Sequence, residues 1–297
     1  YAFSPYWFLI LFFTLILGSG AGAIDSVLNH YVALNYSARH MNWLHACWGI
    51  GATLGPLIMT SVIALNYKWQ TGYLTISIIQ FVLAFLFLLT LKQWKKDEHQ
   101  QNYHKSETTL VLNDRMSWFA ILMFFFYTGV ETSVGLWAFS LFVEYRGIAK
   151  EIAGLWLTMY WASLTLGRII TGIIAPVFNN RFFIRWGLFG AFVGVLMLIS
   201  PVHSIISLLG LIIIGFSLAP IYPSMVHETP NRFGSEKSSV LIGYQVGAAS
   251  IGVAVLPALI GWIGSITTME VLPYILIVFL TVMITMNNLL DRASSQI

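Results

Sequence analysis

Long apolar runs alternate with short polar breaks along this chain. Runs long enough to cross a bilayer, about 20 residues, fall at roughly 7–33, 41–65, 72–91, 117–143, 152–177, 182–200, 203–226, 238–264 and 270–290. The pattern predicts about nine helices. The runs are too long for outer-membrane strands, and they lack strict period-two alternation. Most breaks are short. The exception is LKQWKKDEHQQNYHKSETTLVLNDR, residues 91–115, which leaves three spans before it and six after. The expected fold is an all-α membrane protein in three parts. Residues 1–94 are the remainder of an N-terminal bundle, 95–115 a cytoplasmic linker and 116–297 a C-terminal bundle of six helices.

Composition supports the same class. The chain is 58% hydrophobic and only 9% charged, where soluble domains carry about 25% charged residues. Its mean hydropathy is +0.78. The net charge of +3 comes from loops and does not point to a nucleic-acid partner. One cysteine, Cys47, excludes an intrachain disulfide. There is no G-x-S-x-G, H-E-x-x-H, Walker A or Cys/His metal spacing, so neither an enzyme, a metal nor a cofactor is expected. No obligate protein partner is evident.

Orientation follows from Lys and Arg. With the long loop in the cytoplasm, 12 of the 15 basic residues share its side, and Lys68, Arg146 and Lys150 lie opposite. That places residue 1 outside and the C-terminus in the cytoplasm. An odd span count with an outside start suggests that three further spans precede residue 1. A weak internal echo agrees. HACWGIGATLGP (45–56) and QVGAASIGVAVLP (245–257) both open on a polar side chain, run through small residues and end in proline. Parallel repeats of this kind mark transporters.

Only two of the 12 acidic residues, Asp25 and Glu131, fall well inside the predicted spans. An ionised group at the bilayer centre costs several kcal/mol, so each needs a partner, water or a proton. Glu131 lies about 14 residues, roughly 21 Å, from the inner end of its span. Tyr127 is one turn away on the same face. Glu131 reads as a substrate or proton site, or as a carboxylate tied to a neighbouring helix. Gly18, Gly22, Asp25 and Asn29 share one helical face, where the small residues admit a neighbouring helix and the polar pair projects between helices. Asn42, His45, Gly49, Ala52 and Pro56 form a second stripe with Trp48 beside it. His45 is either a packing residue or a proton carrier. Tyr244 and Gln245 hold the corresponding place in the second half. Trp48, Trp137, Tyr160 and Trp161 could offer flat faces to a sugar ring, although most aromatics belong to lipid-facing belts. Arg168, Arg181 and Arg185 are expected to form a charged cluster at the cytoplasmic end.

Several stretches resemble the major facilitator superfamily, and within it the fucose-permease-like sugar:proton symporters. GAGAIDSVLNHYVAL resembles that group's fourth helix, with Asp25 and Asn29 matching its acid and the amide four residues on. MNWLHACWGIGATLGPLI resembles the fifth helix, YTGVETSVGLWAF the seventh, YWASLTLGRIITG the eighth and APIYPSMVHETPNRFG the stretch leaving the tenth. The resemblance covers 1–297 as helices four to twelve of a twelve-helix, two-bundle fold. It implies alternating access and proton coupling, with Asp25 matching the coupling acid. It places His45 where the permease has a sugar-facing amide, and Trp48 where it has another polar residue. Those departures leave the sugar unnamed.

The expected function is secondary active transport of a small polar solute, a sugar, coupled to protons. Asp25 is the coupling candidate. The solute-binding candidates are Asn29, His45, Trp48, Tyr127, Glu131, Tyr160, Trp161, Tyr244 and Gln245. The expected location is the bacterial cytoplasmic membrane, with lipid, solute and protons as partners. A permease or exporter of a non-sugar amphipathic solute, or a non-transporting sensor or remnant, is the alternative.

Overall fold

The computed structural model describes residues 1–4, 6–93, 111–199 and 204–294. Residues 94–110 lie outside them, and with them most of the expected linker 95–115. Among the described residues there is no strand. The long helices are α1 (Trp7–Asn35), α2 (Ala38–Ala64), α3 (Trp69–Thr90), α4 (Arg115–Ser140), α5 (Lys150–Ile174), α6 (Asn180–Ile199), α7 (Ser204–Leu218), α8 (Ile221–Phe233), α9 (Ser235–Ile266) and α10 (Leu272–Ser294). Eight of the described helical stretches are long and apolar enough to cross a membrane. The ninth expected span, 41–65, is α2, which has 27 residues and carries Arg39, His40, Asn42 and His45 in its first turns. The chain is an all-α membrane protein with eight to nine spans.

The expected span 203–226 differs in detail. Its helix breaks at Ala219–Pro220 and resumes as α8, which runs on to Phe233. Pro220 has no N–H to continue the helical ladder. The polar run from His227 to Arg232 reads as loop in the sequence, yet it stays helical because its charges find partners inside the protein. The helix stops at Gly234, whose φ of 85° suits glycine alone.

The chain forms two compact units, Tyr1–Ile24 with Cys47–His104, and Asp25–Ala46 with Lys105–Ile297. In the first, Met59 packs over Gly72, and the rings of Tyr1 and Tyr73 meet edge to face at 5.4 Å. The second holds the larger apolar core, built from α4 to α10 together with Ala33 and Met41. Lipid tails are as apolar as Leu, so these helices are held by close packing and hydrogen bonds rather than by exclusion of water. Gly194 of α6 and Gly210 of α7 show the close packing. A Cβ on Gly194 would stand 2.8 Å from the Gly210 carbonyl oxygen, and one on Gly210 would stand 2.7 Å from that of Gly194.

Polar contacts do the rest. Asp114 caps α4 by accepting from the Met116 amide and the Ser117 hydroxyl, both at 3.0 Å. A π-helical turn, Leu141–Tyr145, extends α4 and delivers Arg146. Its guanidinium grips both oxygens of Glu270 at 2.8 and 2.6 Å, and donates to Ser207 Oγ at 2.8 Å and to the Leu198 carbonyl at 2.9 Å. One side chain thus joins the ends of four helices.

Replacing Gly194 by Leu forces α6 and α7 apart. Overpacking of this kind costs about 1–3 kcal/mol. Thermal unfolding of the purified protein in detergent should show a clearly lowered midpoint for Gly194→Leu, whereas Phe189→Leu, at an exposed position on α6, should leave it in place.

Candidate functional site

The polar centre of the second unit grows from one helical turn of α4. Tyr127 and Glu131 are four residues apart, so they share a face. Both are buried among apolar side chains. The Tyr127 hydroxyl lies against Glu131 Oε2 and also meets the Leu218 carbonyl at 3.1 Å. That carbonyl sits at the end of α7, where the break before α8 leaves it without a helical donor. From α5, Tyr160 donates its hydroxyl to the Glu131 carbonyl at 2.9 Å.

The decisive partner is Arg168. Its guanidinium reaches Glu131 Oε2 at 3.1 Å and is itself only 3% exposed. A carboxylate in a helix of this kind therefore has its counter-charge one helix away. Glu131 Oε1 accepts no hydrogen bond among the described residues, and the side chain keeps a small exposed surface. One oxygen is committed and the other remains available.

Arg168 also points toward α2, donating to the His45 carbonyl at 3.2 Å. The His45 ring turns toward α1, with Nε2 3.0 Å from Asn29 Oδ1. The Asn29 amide nitrogen donates in turn to Asp25 Oδ1 at 2.8 Å and to the Asp25 carbonyl at 2.9 Å. A series of polar contacts thus runs from Asp25 through Asn29, the His45 residue and Arg168 to Glu131 and Tyr127. Asp25 is exposed and has no ion pair among the described residues, whereas Asn29 is fully buried.

Other expected site residues fall differently. Gln245 is buried, with its Oε1 accepting from Thr229 at 3.1 Å, so it bridges helices. Trp161 lies partly buried with its ring over Gly135, and Tyr160 meets it edge to face. Tyr244 is exposed on α9. Trp48 is exposed in the first unit. Trp137 packs over Gly261 and donates to the Pro257 carbonyl at 2.8 Å, which makes it a packing residue.

The expected Arg168–Arg181–Arg185 cluster needs correction. Arg168 stands six residues before the end of α5, roughly 9 Å up the helix axis. From there it pairs with Glu131 rather than joining the other two. Arg181 binds Glu228 at 2.8 Å, and Arg185 binds Asp291 at 2.9 Å. Arg232 links the two acids, at 2.6 Å from Asp291 and 4.0 Å from Glu228. Asn180 adds a contact to Glu228 at 3.1 Å and another to His227 Nδ1 at 3.0 Å.

Sequence reasoning missed three members. Glu228 and Arg232 lie in the polar run that reads as loop, and Asp291 stands at the end of the last span. Tyr222 was missed as well. Its ring lies 4.8 Å from those of His45 and Phe124 and 5.7 Å from that of Tyr127. The signal for it is the pair of prolines, Pro220 and Pro223, that flank it at the helix break.

Breaking a buried ion pair by removing one partner costs about 3–5 kcal/mol, because the other charge is stranded, while removing both is far milder. Glu131→Gln and Arg168→Gln should each lower thermal stability strongly. The double variant should be more stable than the sum of the two losses, as read from a double-mutant cycle of unfolding midpoints.

Comparison with known proteins places this geometry in a family. The model of the Major Facilitator Superfamily matches residues 1–245. The glucose/mannose transporter GlcP of Bacillus subtilis is 26% identical over 275 residues, which cover 86% of this chain and 66% of that protein. The cis,cis-muconate transport protein of Acinetobacter baylyi is 22% identical over 281 residues, covering 89% of this chain and 66% of that one. The chain thus spans 66% of the length of each of these relatives. Among solved structures, the transporter FucP in its outward conformation superposes with a TM-score of 0.76 at 16% identity, over 93% of this chain and 74% of that one. A second structure, of the E. coli fucose:proton symporter FucP, gives a TM-score of 0.73 at 15% identity, over 93% and 75%. The relatives and fold neighbours are transporters, not enzymes.

Proposed function

The chain belongs to the Major Facilitator Superfamily, and from that premise we propose that it is part of a proton-coupled sugar transporter working by alternating access. The observation that carries the proposal is the buried Arg168–Glu131 pair, with Glu131 Oε1 unengaged among the described residues. A guanidinium offers hydrogen-bond donors and a carboxylate offers acceptors. Set side by side, they suit a solute rich in hydroxyl groups, since each hydroxyl both donates and accepts. Tyr127 and Tyr160 hold Glu131 from within the core, and the Tyr222 ring lies beside them. GlcP, described as a glucose/mannose transporter, and FucP, described as a fucose:proton symporter, support the sugar class.

Asp25 is the proposed coupling residue. Glu131 has its cation, whereas Asp25 has an amide and no ion pair among the described residues. A carboxylate on a membrane helix without a cation is neutralised most directly by a proton. Residues before 95 and after 115 belong, in this reading, to two bundles that rock about the site, with the Lys- and Arg-rich side and the C-terminus in the cytoplasm of a bacterial cell.

A second reading has a specific observation behind it. Muconate, the cargo that names the Acinetobacter relative, is a dicarboxylate, and Arg168 could meet an anionic group. Because Glu131 already neutralises that guanidinium, a neutral polyol is favoured.

The test is uptake into vesicles containing the complete protein. Labelled glucose, mannose or fucose should accumulate when the outside is made acid, and a protonophore should abolish the accumulation. Asp25→Asn should remove uphill uptake and keep counterflow, because the amide preserves shape and loses the titrating proton. Accumulation of labelled muconate, with no uptake of any of the three sugars, would overturn the sugar reading.

A further inference from the structure

We infer that Asn29 is a positioning residue, which fixes His45 as the Nε2–H tautomer and so presents Nδ1 as a bare acceptor for a hydroxyl group of the solute. The inference rests on the sugar reading above and goes to the atom level. It starts from the Asn29 amide. Its nitrogen faces two acceptors, Asp25 Oδ1 at 2.8 Å and the Asp25 backbone carbonyl at 2.9 Å. The backbone carbonyl accepts whatever the protonation state of the Asp25 side chain. Turning the amide over would place Asn29 Oδ1 against that carbonyl, oxygen to oxygen. The amide orientation is therefore set by α1 itself.

With the nitrogen committed, Asn29 Oδ1 is the atom that meets His45 Nε2 at 3.0 Å. An amide oxygen only accepts, so Nε2 must carry the proton. In a neutral imidazole Nδ1 is then bare. A second ring proton would add a positive charge beside Arg168, which donates to the His45 carbonyl at 3.2 Å. The other groups facing this histidine are Asp25 beyond Asn29, the Tyr222 ring at 4.8 Å, and Glu131 with Tyr127 beyond Arg168. No donor reaches Nδ1 among the described residues, and His45 is only partly buried.

The geometry has a consequence for selectivity. Arg168 is bonded on one side to the His45 peptide and on the other to Glu131. Among the described residues, His45 Nδ1 and Glu131 Oε1 are thus two unengaged acceptors belonging to the two partners of one guanidinium. A solute that donates from hydroxyl groups satisfies both, and an anion satisfies neither. The residue that sets this polarity, Asn29, is itself fully buried and contacts His45 rather than solute.

The test is nitrogen-15 NMR of the complete protein labelled at histidine, with the His45 signals identified by their absence in His45→Gln. The wild type should show a protonated Nε2 and a bare Nδ1, and saturating glucose, mannose or fucose should move the Nδ1 resonance. Asn29→Leu should lose the single tautomer. In uptake, His45→Gln should raise KM less than His45→Leu does, because its amide can donate to Asn29 and accept from the solute. His45→Leu should raise KM about tenfold, the effect of one lost hydrogen bond of roughly 1.4 kcal/mol. A proton on Nδ1 in the wild type overturns the inference. So does a single Nε2–H tautomer that survives Asn29→Leu, a Nδ1 resonance indifferent to a transported sugar, or His45→Leu behaving as His45→Gln. Absence of any sugar uptake by the wild type would instead sink the sugar reading, and the tautomer signals would still decide the role of Asn29.

Discussion

Two opposite charges 3.1 Å apart, Glu131 on α4 and Arg168 on α5, organise the centre of the larger unit. Either one alone would be an uncompensated charge in the protein interior. Each costs several kcal/mol to take out of water, and lipid offers no donor or acceptor to repay it. The surrounding structure reads as the set of groups this pair requires. Tyr127 shares the carboxylate, Tyr160 holds the backbone of Glu131, and the His45 carbonyl takes a further guanidinium donor. The break at Pro220 belongs to the same requirement. It ends α7 with the Leu218 carbonyl that Tyr127 satisfies, and it starts α8 so that Tyr222 covers His45. Residues from five helices are placed by one ion pair.

Membrane helices were legible because their signal is cumulative. Twenty apolar residues in a row outvote any single exception, so the sequence predicts an all-α membrane protein of about nine spans, of which eight are long and apolar enough among the described helices. The exceptions were legible in a different way. Asp25 and Glu131 stand out because an acid in an apolar run needs an explanation, and the spacing of Tyr127 and Asn29 at four residues already places each beside its carboxylate. What the sequence could not supply was the partner across helices. Arg168 lies 37 residues from Glu131 along the chain, and nothing local distinguishes it from an arginine that snorkels to the interface. The same limit hid Glu228, Arg232 and Asp291. A polar run at the end of a span looks like loop until its charges are seen to cancel against each other, as Arg181 and Arg232 do with Glu228 and Asp291.

In the proposed function, environment divides work between the two carboxylates on apolar helices. In the proposed cycle Glu131 keeps Arg168 as its counter-charge, and its second oxygen reads hydroxyl groups. Asp25 has no such companion, so its charge is the one that can be switched. The separation is electrostatic rather than chemical, since exchanging the neighbours would exchange the roles.

In the proposed cycle, Asp25, Asn29 and His45 also bear on where coupling would enter. All three lie in residues 25–46, the segment running from the second half of α1 into the first turns of α2, which packs with the larger unit rather than with the remainder of its own helices. The Asn29 bridge crosses between α1 and α2 within that segment, and the Arg168 bond ties the segment to α5. In the proposed cycle, movement of this segment relative to α5 has to break the bond from Arg168 to the His45 peptide, returning that donor to Glu131 or to the solute. A bound polyol that accepts from the released guanidinium lowers the cost of the movement, while an empty site leaves it uncompensated. Coupling would then arise from hydrogen-bond balance in a dry interior, where one unsatisfied donor costs about 1–3 kcal/mol, comparable with the differential affinity that shifts a two-state equilibrium by a factor of ten or more.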